Sequence, residues 1–213
     1  MQKKYKIGLI VLIVLLSLII AFAIFNAISN PKSDTPKLEQ LDEIKEYGYT
    51  LDKRDTKLMK KTFDKLKKEL KKEDINYEEY AKLLSQLYVI DLFTLSNKIN
   101  KYDIPSLEYI MEDNNENFSN NISDTIYKYI IDNSDKKRKQ DLPEVASIEF
   151  KNIETIEYTY DKNNYEGYKV DLEWTYVKSL GYDTSAMIRL IKIDKKLYVV
   201  GYEPSEVTNE ENN

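Results

Sequence analysis

Histidine and cysteine are both missing from the 213 residues. Their absence removes the commonest general base, the thiolate nucleophile, every disulfide and the usual ligands of a structural zinc site. Glycine and proline are scarce at five each, and tryptophan occurs once. Arginine is confined to Arg54, Arg138 and Arg189, so the positive charge is almost all lysine. The acidic residues Glu112, Asp113 and Glu116 lack the spacing of a calcium loop. No metal, no cofactor and no catalytic residue is therefore expected. The sequons at Asn117 and Asn121 are what chance produces in an Asn-rich chain.

What is present suffices for a core. Hydrophobic residues make up 42% and aromatics 12%, with 18 tyrosines. The formal net charge is -5, but Lys3, Lys4 and Lys6 sit in an acid-free stub, 1–6, that precedes a long apolar run. The rest of the chain is more acidic still, and an acidic surface repels phosphate backbones, so no nucleic-acid partner is expected.

Ile7 to Phe25 carry no charge and are interrupted only by Gly8 and Ser17. At about 1.5 Å per residue this run spans about 28 Å, close to the hydrocarbon thickness of a bilayer. The expectation is a single transmembrane helix over 7–28, with the lipid bilayer as its partner. A signal-peptide reading would cut after Ala21-Phe22-Ala23, but Ile24, Phe25, Ala27 and Ile28 continue the apolar stretch past that point. The three preceding lysines favour a cytoplasmic N-terminus and an extracytoplasmic C-terminal domain at the cell membrane.

Residues 29–55 read as a polar spacer with a possible short helix, because Leu41, Ile44 and Tyr47 have helical spacing before Gly48. Residues 56–203 read as the folded domain, and 204–213 as a disordered acidic tail. Thr56 to Lys72 is predicted to be an amphipathic helix, since Met59, Phe63, Leu66 and Leu70 fall on one stripe. Lys60, Lys61, Lys67, Lys68, Lys71 and Lys72 on its other faces are candidates for contact with anionic lipid or wall polymers. A second helix is expected over Tyr77 to Ile99, and its apolar middle is interrupted by Asp91, a carboxylate that burial forces to find a partner. Asp103 is an expected N-cap for a short turn toward Met111. Glu112 to Asn117 is expected to be a loop, and Ser119 to cap a helix through Ile131.

From Val145 the period changes to two. Ile148, Phe150, Ile156, Tyr158 and Tyr160 predict one strand, bent or bulged near Asn152 and Glu154. Tyr168, Val170, Leu172, Trp174 and Tyr176 alternate with polar residues in a second, and Ala186 to Ile193 and Leu197 to Tyr202 form a terminal hairpin. Helices followed by an uninterrupted antiparallel β-meander define an α+β fold.

That element order, with the terminal hairpin IRLIKIDKKLYVVGY at Ile188 to Tyr202, resembles the NTF2-like (cystatin-like) superfamily over roughly Thr56 to Tyr202. The resemblance implies helices packed on a curved sheet enclosing a pocket. Asp91, Tyr158, Tyr160, Tyr168, Trp174 and Tyr176 would then be its ligand-binding candidates, with plain core packing as the alternative for the aromatics. In layout the chain is similar to bitopic subunits of conjugative and secretion machines. The function so implied is a binding or assembly module of the cell envelope, meeting other envelope proteins or copies of itself. Two alternatives remain open: an enzyme that, like the ketosteroid isomerases of that superfamily, uses an Asp base and a Tyr donor, with Asp91 as the base, and an anionic-surface binder acting through the lysine-rich helix.

Overall fold

A computed structural model describes Ile19, Ile20 and residues 39–205. Ile19 and Ile20 are helical and exposed. The rest of the expected transmembrane helix, and the tail beyond Ser205, lie outside the described residues. Among the described residues no helix is long and apolar enough to cross a membrane. Met1–Thr35 and Pro36–Asn213 group into two separate compact units.

The second unit is α+β, with an antiparallel sheet. It begins with a hairpin, β1 (Gln40–Ile44) and β2 (Tyr49–Asp52), where helical spacing predicts a short helix. The hairpin wins because Gly48 adopts φ +68, a left-handed turn open to glycine, and because Tyr47, Tyr49 and Leu51 gain a buried face by pairing. The folded unit therefore starts ahead of residue 56. Helix α1 (Lys57–Glu69) is capped by Thr56, whose hydroxyl accepts from Met59 N at 3.2 Å, and it buries the expected stripe of Met59, Phe63 and Leu66. Helix α2 (Tyr77–Phe93), capped by Asn76, is buried along almost its whole length and ends six residues before the expected boundary.

The segment after α2 departs most from expectation. Two 3₁₀ turns, Leu107–Tyr109 and Glu112–Asn114, precede α3 (Asn115–Asp124), so Ser119 lies inside a helix rather than capping one. Asp103 caps no helix, because a buried ion pair takes its carboxylate.

Four strands then form one antiparallel meander, β3 (Val145–Tyr160), β4 (Asn163–Tyr176), β5 (Ser185–Ile193) and β6 (Lys196–Pro204), in that spatial order. The register of β3 against β4 shifts between Phe150 and Asn152, where polar Asn152 and Glu154 predict a bulge. Asp161 and Lys162, both at positive φ, make the two-residue turn into β4. Tyr168, Val170, Leu172 and Trp174 are all buried, facing the helices.

A tyrosine relay ties the hairpin, α2 and the outer edge of the sheet together. The Tyr49 hydroxyl donates to Leu197 O at 3.1 Å, Leu197 N donates to the Tyr80 hydroxyl at 3.2 Å, and the two hydroxyls bond each other. Since the Tyr49 proton already goes to Leu197, Tyr80 is the donor between them. Both backbone groups of an edge residue are thereby satisfied, and Ile110 bridges Val199 on the same edge, which shields β6 from further strand pairing.

Candidate functional site

A polar cavity of about 240 Å³ opens between the β1–β2 hairpin, α2 and the segment that precedes α3. Thr50, Asp52, Arg54, Asp55, Asp91, Lys98, Ser106 and Glu108 supply its polar walls, and Met59, Ile104 and Pro105 its apolar ones. The chain enters the folded unit on its rim, at Gln40.

Asp91 lines this space as a half-buried carboxylate within the otherwise buried C-terminal half of α2. Its Oδ1 accepts from Lys98 Nζ at 2.6 Å, and its Oδ2 from Ser106 N at 2.8 Å and Ser106 Oγ at 3.1 Å. Lys98 is only 2% exposed and Asp91 14%. Ser106 reaches Asp91 by adopting φ 64, an uncommon left-handed conformation for a residue with a side chain. Behind the wall, Arg54 pairs bidentately with Asp103, with Nη2 to Oδ1 at 2.7 Å, and Asp103 Oδ2 also accepts from Ile99 N at 2.8 Å. A single carboxylate thus fixes both the hairpin and the loop after α2. The planar guanidinium fork suits that double contact better than a lysine would.

Both cations of the wall are therefore committed to Asp103 and Asp91. Asp52 has only a 3.9 Å contact with Arg54 Nε, and among the described residues Asp55 and Glu108 form no ion pair. Asp55 Oδ2 accepts from Asp52 N at 2.7 Å, and Glu108 Oε1 from the Thr50 hydroxyl at 3.3 Å. Burial, reinforced by the negative charge of Asp91, pushes the Asp55 carboxyl up to about 6 and that of Glu108 up to about 7. Burial also raises Asp52. Arg54 Nε is buried without a hydrogen-bond partner. Among the described residues no three Asp or Glu side chains converge closely enough to hold a metal ion.

The structure does not bring the strand aromatics to Asp91. Tyr168 and Trp174 belong to the core, where the Trp174 ring lies tilted against Phe93 with centroids 5.2 Å apart. The Trp174 indole donates to the Tyr176 hydroxyl at 2.9 Å, and that hydroxyl donates to Asp183 O at 2.7 Å. Tyr158 is half-buried opposite Tyr165, in the part of β3 and β4 that extends past β5. Tyr160 accepts from Asn114 Nδ2 at 2.6 Å and lines an apolar groove of about 600 Å³ between α3 and β6. The Tyr127 hydroxyl donates to Leu92 O at 3.0 Å and reaches the backbone carbonyl of Asp91 at 3.4 Å, not its carboxylate.

Of the candidate lysines, Lys60 donates to Lys53 O at 2.9 Å, Lys67 pairs with Asp42 and Lys72 with Glu69. Lys61, Lys68 and Lys71 are exposed and form no ion pair among the described residues. Sequence reasoning does not find Arg54, Asp55, Lys98, Asp103, Ser106 or Glu108. The one available signal is Asp91 itself, whose burial demands a cation, and Lys98 is the first one downstream.

No family model, curated protein or solved structure matches the chain.

Proposed function

We propose that the chain is a membrane-anchored, extracytoplasmic binding module whose cavity takes a small organic cation bearing N–H donors, an amine or a guanidinium. One observation carries the ligand reading. Four carboxylates, Asp52, Asp55, Asp91 and Glu108, line the cavity with two cations, Arg54 and Lys98, which are held by Asp103 and Asp91, and this leaves Asp55 and Glu108 as acceptors without an ion pair among the described residues. A bound ammonium would supply that charge and lower both carboxyls toward their ordinary range, so binding and proton release are linked. The anchor rests on the uncharged run from Ile7 to Phe25. The fold, helices followed by a meander, is compatible with the NTF2-like resemblance and with a role as an accessory envelope subunit.

The test is thermal unfolding with putrescine and agmatine, using choline, which lacks N–H donors, as the control. At about pH 8 both amines raise the melting temperature, the gain is lost at about pH 5 where Asp55 and Glu108 are protonated, and choline has little effect. No shift at millimolar amine, or an equal shift in Asp55→Asn/Glu108→Gln, overturns the reading. Loss of the chain from membranes on an alkaline carbonate wash would overturn the anchor.

A further inference from the structure

The apolar and basic residues at one end of the folded unit form a surface of their own, distinct from both the cavity and the lysine face of α1. Among the described residues, four of its five exposed large hydrophobic side chains lie there, Tyr102 at 41%, Tyr129 at 76%, Ile131 at 60% and Val177 at 70%. Two loops carry Tyr102, Tyr129 and Ile131, Val177 following β4, and backbone and side-chain hydrogen bonds hold those two loops in register. Asn133 N donates to Ile99 O at 2.8 Å, and Asn100 Nδ2 to Asp132 Oδ2 at 3.2 Å. Gln140 spans the second loop, donating to Tyr129 O at 2.8 Å and accepting from Ile131 N at 2.9 Å. Arg138 turns inward, donating to Lys98 O at 2.9 Å and Ser96 O at 3.0 Å, so it is a clamp and not a surface charge. Val177 joins through its N–H to Glu144 O at 2.9 Å, and Glu144 accepts from Ser96 Oγ at 2.9 Å.

Lysines surround these side chains. Lys101 lies over the Tyr102 ring at 4.8 Å and Lys128 over the Tyr129 ring at 5.4 Å, while Lys136, Lys137 and Lys139 are exposed on the second loop. Asp132, Asp135 and Asp141 are the acids of that loop. Asp132 accepts a hydrogen bond from Asn100 and keeps its charge, Asp135 pairs with Lys137 at 3.8 Å, and Asp141 pairs with Lys178. In a chain of net charge -5 the region is locally basic.

We propose that this end of the domain docks flat on an anionic lipid surface, with Tyr102, Tyr129 and Ile131 entering the headgroup layer and Lys101, Lys128, Lys136, Lys137 and Lys139 meeting lipid phosphates. Tyrosine and isoleucine flanked by lysine are the side chains that an interfacial site uses, the apolar bodies leaving water while the ammonium groups reach the phosphates. Charge complementarity selects an anionic bilayer over a zwitterionic one. Position favours it as well. The chain enters the folded unit at Gln40, on the rim of a cavity whose wall includes Lys98, and the carbonyl of Lys98 is gripped by Arg138 of the patch. A tether arriving from a membrane at Gln40 would be linked to the patch through Lys98 and Arg138. That last step rests on the proposed anchor; the composition of the patch does not.

Hydrogen exchange on the full-length chain in nanodiscs tests the docking, with discs of phosphatidylcholine alone against discs containing phosphatidylglycerol. Amides of residues 99–103 and 128–140 slow in the anionic discs only, and the strand ends 155–166 exchange equally in both. The protection fades as salt rises. Lys136→Glu/Lys137→Glu/Lys139→Glu and, separately, Tyr129→Ser/Ile131→Ser abolish it with an unchanged melting temperature, since these side chains are exposed. Equal exchange in the two discs, protection of α1 in place of the two loops, or protection of these loops by duplex DNA in detergent without any by anionic discs overturns the proposal. A failed anchor reads differently. The chain then leaves phosphatidylcholine discs, yet still co-elutes with anionic discs at low salt if the docking is right, and absence from both discs overturns docking and anchor together.

Discussion

Asp91–Lys98 and Asp42–Lys67 join the same two residue types at nearly the same separation, 2.6 and 2.5 Å, in opposite surroundings. The first pair is 14% and 2% exposed, the second 36% and 27%. Water screens the second, so forming it changes little, and removing either partner leaves a charge that is readily solvated. The first pair has left most of its water behind, so its two charges depend on each other and on Ser106. What separates a structural ion pair from an incidental one here is access to solvent, not distance.

The largest expected effect comes from breaking the buried pair on one side only. Lys98→Met should destabilise the domain by about 3–5 kcal/mol in urea unfolding, because it leaves the Asp91 carboxylate with two hydrogen bonds and no cation. Asp91→Asn/Lys98→Met should recover most of that loss, because it removes both charges and keeps the shape. A single-variant loss below about 1 kcal/mol would mean that cavity water solvates Asp91 well, and the contrast between the two pairs would collapse.

A smaller effect, with a pH signature, belongs to Glu108. Its folded-state carboxyl titrates near 7 against an ordinary 4.5, so the folded domain holds this proton more tightly than the unfolded chain does. Stability from this group is therefore full at low pH and is lost as pH rises from about 4.5 through about 7. Asp55 acts in the same direction between about 3.8 and about 6. Glu108→Gln keeps an acceptor for Thr50 and removes the titration. It should stabilise the domain by about 3 kcal/mol at pH 8, by under about 1 kcal/mol at pH 5 and by almost nothing below about pH 4, as measured by the urea midpoint at each pH. A variant that parallels the parent at both pH values would show Glu108 to be well hydrated.

Much of the fold is legible in the sequence because much of it is periodic. The 4-3-4 spacing of Met59, Phe63, Leu66 and Leu70 marks α1, and the even positions from Tyr168 to Trp174 mark the buried face of β4. The β1–β2 hairpin is not legible, because Leu41, Ile44 and Tyr47 fit a helix equally well, and what decides for strands is Tyr49 bonding Tyr80 and Leu197, 31 and 148 residues away. The cavity is less legible still. Its charged walls come from three separate stretches, Asp52 to Asp55, Asp91 to Lys98 and Asp103 to Glu108, with no short-range spacing in common. Asp91 alone stands out, as a charge within an apolar helix, and its partner lies past the end of that helix, where helical geometry no longer predicts contacts. The strand aromatics show the reverse failure. Their alternation is conspicuous, but it reports a buried face, so Tyr168 and Trp174 pack in the core while Asp91 binds elsewhere.

The smallest effects should come from α1, and they complete the comparison. Lys67→Ala removes a pair that solvent already screens, so a loss of under about 1 kcal/mol is expected, shrinking further in high salt. Lys61→Ala, Lys68→Ala and Lys71→Ala remove no ion pair among the described residues and should leave stability within about 0.5 kcal/mol of the parent, because alanine is also the better helix former. Unfolding in low and high salt separates the two groups, since only Lys67→Ala should show a salt-dependent difference. A loss at Lys68 or Lys71 as large as that at Lys98 would show that exposure does not rank these charges. The lysine face would then have a binding partner or a packing role that its open geometry does not display.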